Sequence, residues 1–176
     1  MDAPEARTPV ELFWQEARKV AGINRLDVVV GSTARASLTP PAWSFDPDPE
    51  TADELVAEVL AGTRTASSSP LRAWETGGEE LPAAGDLSIL LDGGEQPAAL
   101  LRHDDVDVVP FDEVPASHAA AEGEQNLEDW RRRQHRAFTD LLGAGGATFD
   151  SRSPVVLERF RVLHPRPPRR GRQPGS

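Results

Sequence analysis

The 176-residue chain has no cysteine, no tyrosine, one methionine and a single lysine among its 19 basic residues. Without cysteine there are no disulfides, thiolate zinc sites, iron–sulfur clusters or cysteine nucleophile. Without tyrosine no phenol can serve as acid or base. Lys19 is the one ammonium, so every other cation is a guanidinium, which holds its charge at all ordinary pH. No apolar run approaches the length that crosses a bilayer. The opening Met-Asp-Ala-Pro-Glu lacks the basic and apolar regions of a signal peptide, and a cytoplasmic location is expected.

What is present points to one folded domain with irregular flanks. Apolar residues make up 38% and charged residues 27%, while 16 prolines and 14 glycines argue against an all-helical bundle. The net charge of −10 conceals an asymmetry: Arg166, Arg169, Arg170 and Arg172 lie in a tail that has no acid, which leaves the rest at −14. Such a body repels nucleic acid at long range, so a nucleic-acid partner must be met in a local basic pocket or recruited by the tail.

Thr8, Pro9 and Glu11 spell a capping box with proline in the first helical position. Val10, Phe13, Trp14, Ala17 and Val20 then recur at helical spacing up to Gly22. Residues 31–41, rich in Thr, Ala, Ser and Pro, read as an exposed connection. A second helix opens at Asp48-Pro49-Glu50, turns Ala52, Leu55, Val56, Val59 and Leu60 inward, and closes at Gly62. The period then changes. Leu87 to Leu91 and Pro97 to Val109 read as strands about an Asp92-Gly93-Gly94 turn, and Phe111 to Ala121 as a helical turn or two. Leu127, Trp130, Ala137, Phe138 and Leu141 mark a third long helix, and Pro154 to Leu163 a strand buried on both faces. Beyond His164 the composition of Pro, Arg and Gly predicts disorder. The pattern without any complete βαβ unit gives α+β, with an antiparallel sheet or small barrel.

Gly62-Thr-Arg64-Thr65-Ala-Ser67 offers a guanidinium and hydroxyls in a small space. On its own it reads as a polar connection, and it lacks the lysine and second glycine of a phosphate loop. Glu122 and Glu124 read as loop acids before the third helix. His103, His118, His135 and His164 are scattered without ligand spacing, so no metal site or other cofactor is expected. His135 reads as a packing or capping residue.

Several segments together resemble the ASCH domain, a member of the PUA-like superfamily of small β-barrels. They are Trp43-Ser-Phe45, ETADELVAEVLAGTRTAS, Gly85-Asp86 before LSILLDG, VDVVPFDEV, AEGEQNLEDWRRRQHRAF and PVVLERFRVL. The family's Gly-x-Lys-x-x-Thr/Ser motif is matched by Gly62, Arg64 and Ser67, and the long third helix resembles the larger bacterial subgroup. The resemblance implies a PUA-like antiparallel β-barrel with helices outside. It implies an ASCH domain at 43–164, with 1–42 as a helix and connection packed on it and 165–176 as a disordered basic tail. It further implies a cleft lined by Arg64, Ser67 and Glu122, with Thr65 and Trp43 as further ligand-binding residues. The implied partner is single-stranded RNA or a nucleotide, with no membrane and no metal.

Related small bacterial ASCH proteins hydrolyse the amide of N4-acetylcytidine through the motif lysine, the motif hydroxyl and a downstream glutamate, and others are ribonucleases. By resemblance Ser67 and Glu122 would be the catalytic pair in such a hydrolase. This chain departs from that scheme at Arg64, because a guanidinium cannot take the proton of a serine. Its planar fork suits phosphate instead, and Trp43, Phe45 or Trp74 offers a surface for stacking on an unpaired base, beside the plainer reading of core packing. Binding of RNA or a nucleotide at Arg64 is therefore the leading expectation, with a hydrolase as the alternative.

Overall fold

The computed structural model describes residues 7–23 and 39–165. Most of the 31–41 connection and the arginine-rich tail lie outside the described residues. The first helix, α1 (Pro9–Val20), carries the anticipated capping box: Glu11 N–H donates to Thr8 Oγ1, and Thr8 N–H donates to the Glu11 carboxylate. It buries Trp14 and Ala17, whereas Val20 ends up exposed. After β1 (Ala42–Trp43), helix α2 (Pro49–Ala61) starts where Thr51 N–H donates to Asp48, and ends at Gly62, whose φ of 78° is the left-handed cap that favours glycine.

The segment Ala66–Pro70 is a strand, β2, and Leu71–Gly77 a short helix, α3. Neither element is signalled in the sequence. The hairpin strands β3 (Leu87–Leu91) and β4 (Pro97–Pro110) follow, then a 3₁₀ turn at Phe111–Glu113, α4 (Ala116–Ala121), α5 (Leu127–Ala144) and β5 (Pro154–His164). Among the described residues the strands form one sheet in the order β1-β3-β4-β5-β2. β2 runs antiparallel to β5, with Ser67 opposite Glu158 and Ser68 opposite Leu157, while β1 runs parallel to β3.

The sheet is open, which corrects the expected closed, wholly antiparallel barrel. Closure requires its two edges to pair, and the β1 edge is only two residues long. The α+β class stands.

The described residues divide into two compact units, one within Met1–Ala61, Ile89–Leu101 and Val162–Ser176, the other of Gly62–Ser88 and Arg102–Arg161. The first unit buries Trp14, Val56, Val59, Ile89, Leu90 and Leu100. The second is built on aromatic packing: Phe111 stacks on Trp130 at 5.5 Å and meets Phe149 edge-on at 5.2 Å, with Phe138, Val155 and Leu157 closing the cluster. Fully burying side chains of this size stabilises by roughly 1.5–3 kcal/mol each. Trp130 also has an N–H that must find an acceptor. It finds one in the candidate site.

Candidate functional site

Glu122 is 1% exposed and corrects its reading as a solvated loop acid. It caps the C-terminus of α4, a helix of small residues that runs from Pro115 to the left-handed turn at Gly123. A carboxylate is disfavoured at that end of a helix dipole, and here hydrogen-bond donors offset the penalty. Glu122 Oε1 accepts from Ser68 Oγ at 2.6 Å and from His118 Nε2 at 3.0 Å. Oε2 accepts from Trp130 Nε1 at 2.9 Å and Gln134 Nε2 at 3.0 Å. Three of these donors are set by i,i+4 geometry: His118 lies one turn before Glu122, and Trp130 and Gln134 lie one turn apart on α5.

Burial pushes the Glu122 carboxyl up, but the bonds from His118, Ser68 and Trp130, together with the field of His118, hold it below the usual carboxylate range. It is a fixed anion. Its oxygens are already occupied, which makes it an anchor for the side chains around it and a poor proton acceptor.

Arg64 is 8% exposed, and its guanidinium stands 3.9 Å from Glu122 Oε2, an ion pair beyond hydrogen-bond distance. The next residue pins the backbone there: Thr65 N–H donates to Ala121 C=O at 2.8 Å, and Thr65 C=O accepts from Phe160 N–H at 3.0 Å. The Thr65 side chain is exposed.

The structure thus brings Arg64, Thr65 and Glu122 together, but the hydroxyl that reaches Glu122 belongs to Ser68. Successive side chains of a strand point to opposite faces, and Ser67 accordingly points away from Ser68. Ser67 Oγ donates to Glu158 Oε2 at 3.4 Å. Trp43 lies on β1 in the other compact unit, where its ring meets Phe45 edge-on at 4.7 Å. Trp74 is the aromatic found beside the serines: its Nε1 donates to Ser69 Oγ at 2.8 Å.

Glu158 belongs to a second buried polar group that the sequence reading missed. It is 7% exposed, and burial raises its carboxyl to about 7, against smaller opposing pulls from the Ser67 bond and the field of His118. His103 on β4 lies with Nδ1 3.3 Å from Glu158 Oε1, outside hydrogen-bond alignment, and with Nε2 3.0 Å from Ser88 Oγ. Burial lowers the His103 imidazole, against the raising influence of Asp86 and Asp104. A signal for Glu158 was present in the sequence: it interrupts the apolar run from Val155 to Phe160. His118 was signalled by its spacing from Glu122.

His135, by contrast, is exposed and packs its ring against Phe111 and Phe149. A surface pocket of about 430 Å³, lined by Arg72, Glu75, Leu142, Phe149 and Pro154 among others, includes none of the polar groups just described. Among the described residues no three His, Asp or Glu side chains are grouped as a metal ion would require, and no helix is long and apolar enough to cross a membrane.

Among the described residues, an open α+β sheet carries a buried arginine–glutamate centre beside β2 and a second buried polar group around Glu158. The chain belongs to the ASCH domain family, whose model matches residues 41–164. Protein EF3133 from Enterococcus faecalis, assigned to the family-model DUF984, is 31% identical, with a TM-score of 0.76 over 88% of this chain and 87% of its own. An ASCH domain from Lactobacillus crispatus is 22% identical, with a TM-score of 0.73 over 93% of this chain and 99% of its own, and it supports the fold. No functionally curated protein matches the chain.

Proposed function

We propose that this ASCH domain binds single-stranded RNA or a nucleotide, with Arg64 holding a phosphate beside the hydroxyls of Thr65 and the β2 serines. The observation that carries the reading is the way Arg64 is held. Glu122 is anchored by Ser68, His118, Trp130 and Gln134, the Thr65 backbone is tied on both sides, and the Arg64 guanidinium lies 3.9 Å from Glu122, which supports a cation positioned before a ligand arrives. Preorganisation of this kind lowers the entropic cost of binding an anion, and guanidinium is the side chain best matched to phosphate. In a chain of net charge −10 this basic position also discriminates between ligands.

The test compares a nucleoside monophosphate with its parent nucleoside by titration calorimetry. Tighter binding of the monophosphate, lost in Arg64→Ala and weakened in Arg64→Lys, is the expected result. Equal affinity for the two ligands would sink the phosphate assignment.

A second reading, a hydrolase acting on RNA or on an amide such as N4-acetylcytidine, gains support from one contact, Ser67 Oγ to Glu158. Glu122 suits the base role poorly in that reading, because its oxygens are occupied and its carboxyl is held low.

A further inference from the structure

We propose that a buried polar row, Ser88, His103, Glu158 and Ser67, takes up one proton from solvent when a phosphate binds at Arg64, so that the affinity of the site rises with acidity. This rests on the phosphate-binding reading and adds its regulation.

The row is a product of the topology. β3, β4, β5 and β2 lie side by side in the sheet, and each contributes one member in that order. Ser67 Oγ donates to Glu158 Oε2 at 3.4 Å, Glu158 Oε1 stands 3.3 Å from His103 Nδ1, and His103 Nε2 lies 3.0 Å from Ser88 Oγ. Ser88, His103 and Glu158 are buried, and Ser67 is half-buried. One junction in the row is unmade: the buried His103 Nδ1 has no aligned hydrogen-bond partner and faces a carboxylate oxygen. A further proton on this pair closes the junction. Whether it resides on the carboxyl or on the imidazole, the pair is then neutral overall, and without it the pair carries one negative charge.

Two connections carry that charge to Arg64. Arg64 and Ser67 belong to one segment, which is tied to β5 where Thr65 C=O accepts from Phe160 N–H at 3.0 Å, two residues beyond Glu158. His118 bonds Glu122, the anion beside Arg64, and its field also reaches Glu158. In water-poor surroundings the charge on Glu158 is weakly screened, so a bound phosphate and an ionised Glu158 disfavour each other. Linkage is reciprocal: whatever affinity the proton adds for phosphate, phosphate adds for the proton. The row acts through its charge, and the ligand stays at Arg64. The groups that face Glu158 are Ser67 from β2, His103 from β4 and His118 from α4, while Asp86 and Asp104 act on His103. Burial raises the Glu158 carboxyl to about 7 and lowers the His103 imidazole, which brings the change within reach of neutral pH.

The experiment measures, by fluorescence anisotropy, the affinity of the full chain for a labelled oligouridylate with hydroxyl ends, whose phosphodiesters keep their charge across the range. Wild type should bind at least roughly fivefold more tightly at pH about 5.5 than at pH about 8.5. Glu158→Gln, fixed in the uncharged state, should lose most of that change and keep the part due to other imidazoles. At the alkaline end it should bind more tightly than wild type. Equal pH dependence in the two proteins would overturn the linkage and leave the phosphate site standing. Wild-type binding at the acid end that is indifferent to Arg64→Ala would overturn both. If Glu158→Gln fails to fold, calorimetry of the wild type in buffers of different ionisation enthalpy decides. Net proton uptake near pH 7 that persists as salt rises is then expected, because a buried pair is little screened, and its absence contradicts the proposal.

Discussion

Two buried glutamates, one capping α4 and one on β5, show how environment sets the behaviour of a single residue type. Glu122 is stripped of water but receives donors on both oxygens, and stays below the usual carboxylate range. Glu158 has one long bond from Ser67, and burial prevails. Removing the first carboxylate strands His118, Trp130 and Gln134 without their acceptor, so Glu122→Ala should lower the unfolding free energy by about 3–5 kcal/mol. Ser68→Ala, which removes one donor, should lower it by about 1–2 kcal/mol. Urea denaturation measures both.

For Glu158 the sign runs the other way. Its folded value, about 7, lies above the ordinary 4.5, so between these limits the folded state keeps a proton that the unfolded state has released. The Glu158 contribution to stability is therefore greatest below 4.5 and declines as pH rises to about 7. The difference in stability between wild type and Glu158→Gln should change across that window by on the order of 3 kcal/mol. A difference independent of pH would refute the raised value. Taking the difference matters because His103, lowered by burial, gives a stability term that fades in the opposite direction, as pH falls.

At the scale of elements, legibility followed the strength of local chemistry. The capping box at Thr8, the Asp48 start of α2, the Asp92-Gly93-Gly94 turn and the apolar period of α5 are all local, and the corresponding elements form where the sequence places them. β2 is different. Ser67-Ser68-Ser69 has neither β-branched residues nor apolar alternation, and it is a strand because β5 supplies a partner for it. Having missed β2, the sequence reading had no means to see that Ser67 and Ser68 would serve different carboxylates. The short α4, six residues of mostly alanine and polar type, likewise gave no sign that Glu122 would be drawn inside.

A prediction at this scale concerns the contact between α2 and the β3–β4 turn. Gly93 N–H donates to Asp53 at 2.7 Å, and a Cβ on Gly93 would lie 2.1 Å from Pro49 C=O. Gly93→Ala should therefore lower stability by about 1–3 kcal/mol through overpacking against backbone. An unchanged melting temperature would show that the start of α2 moves aside freely.

For the molecule as a whole, charge decides what kind of binding is possible. A chain at net −10 has little long-range attraction for a polyanion, so affinity for RNA must come from Arg64 and from the arginines beyond residue 165. Deleting residues 165–176 should weaken binding to single-stranded RNA at low salt, and the gap should close as salt rises, because screening removes the tail's share first. A loss that persists undiminished at high salt would mean that the tail supplies short-range contacts. The central claim is tested most directly by the affinity of wild type and Arg64→Ala for one fluorescent single-stranded RNA, measured by anisotropy at fixed ionic strength. A roughly tenfold to hundredfold loss is predicted, the range for a charged hydrogen bond to phosphate, whereas indistinguishable affinities would contradict the account.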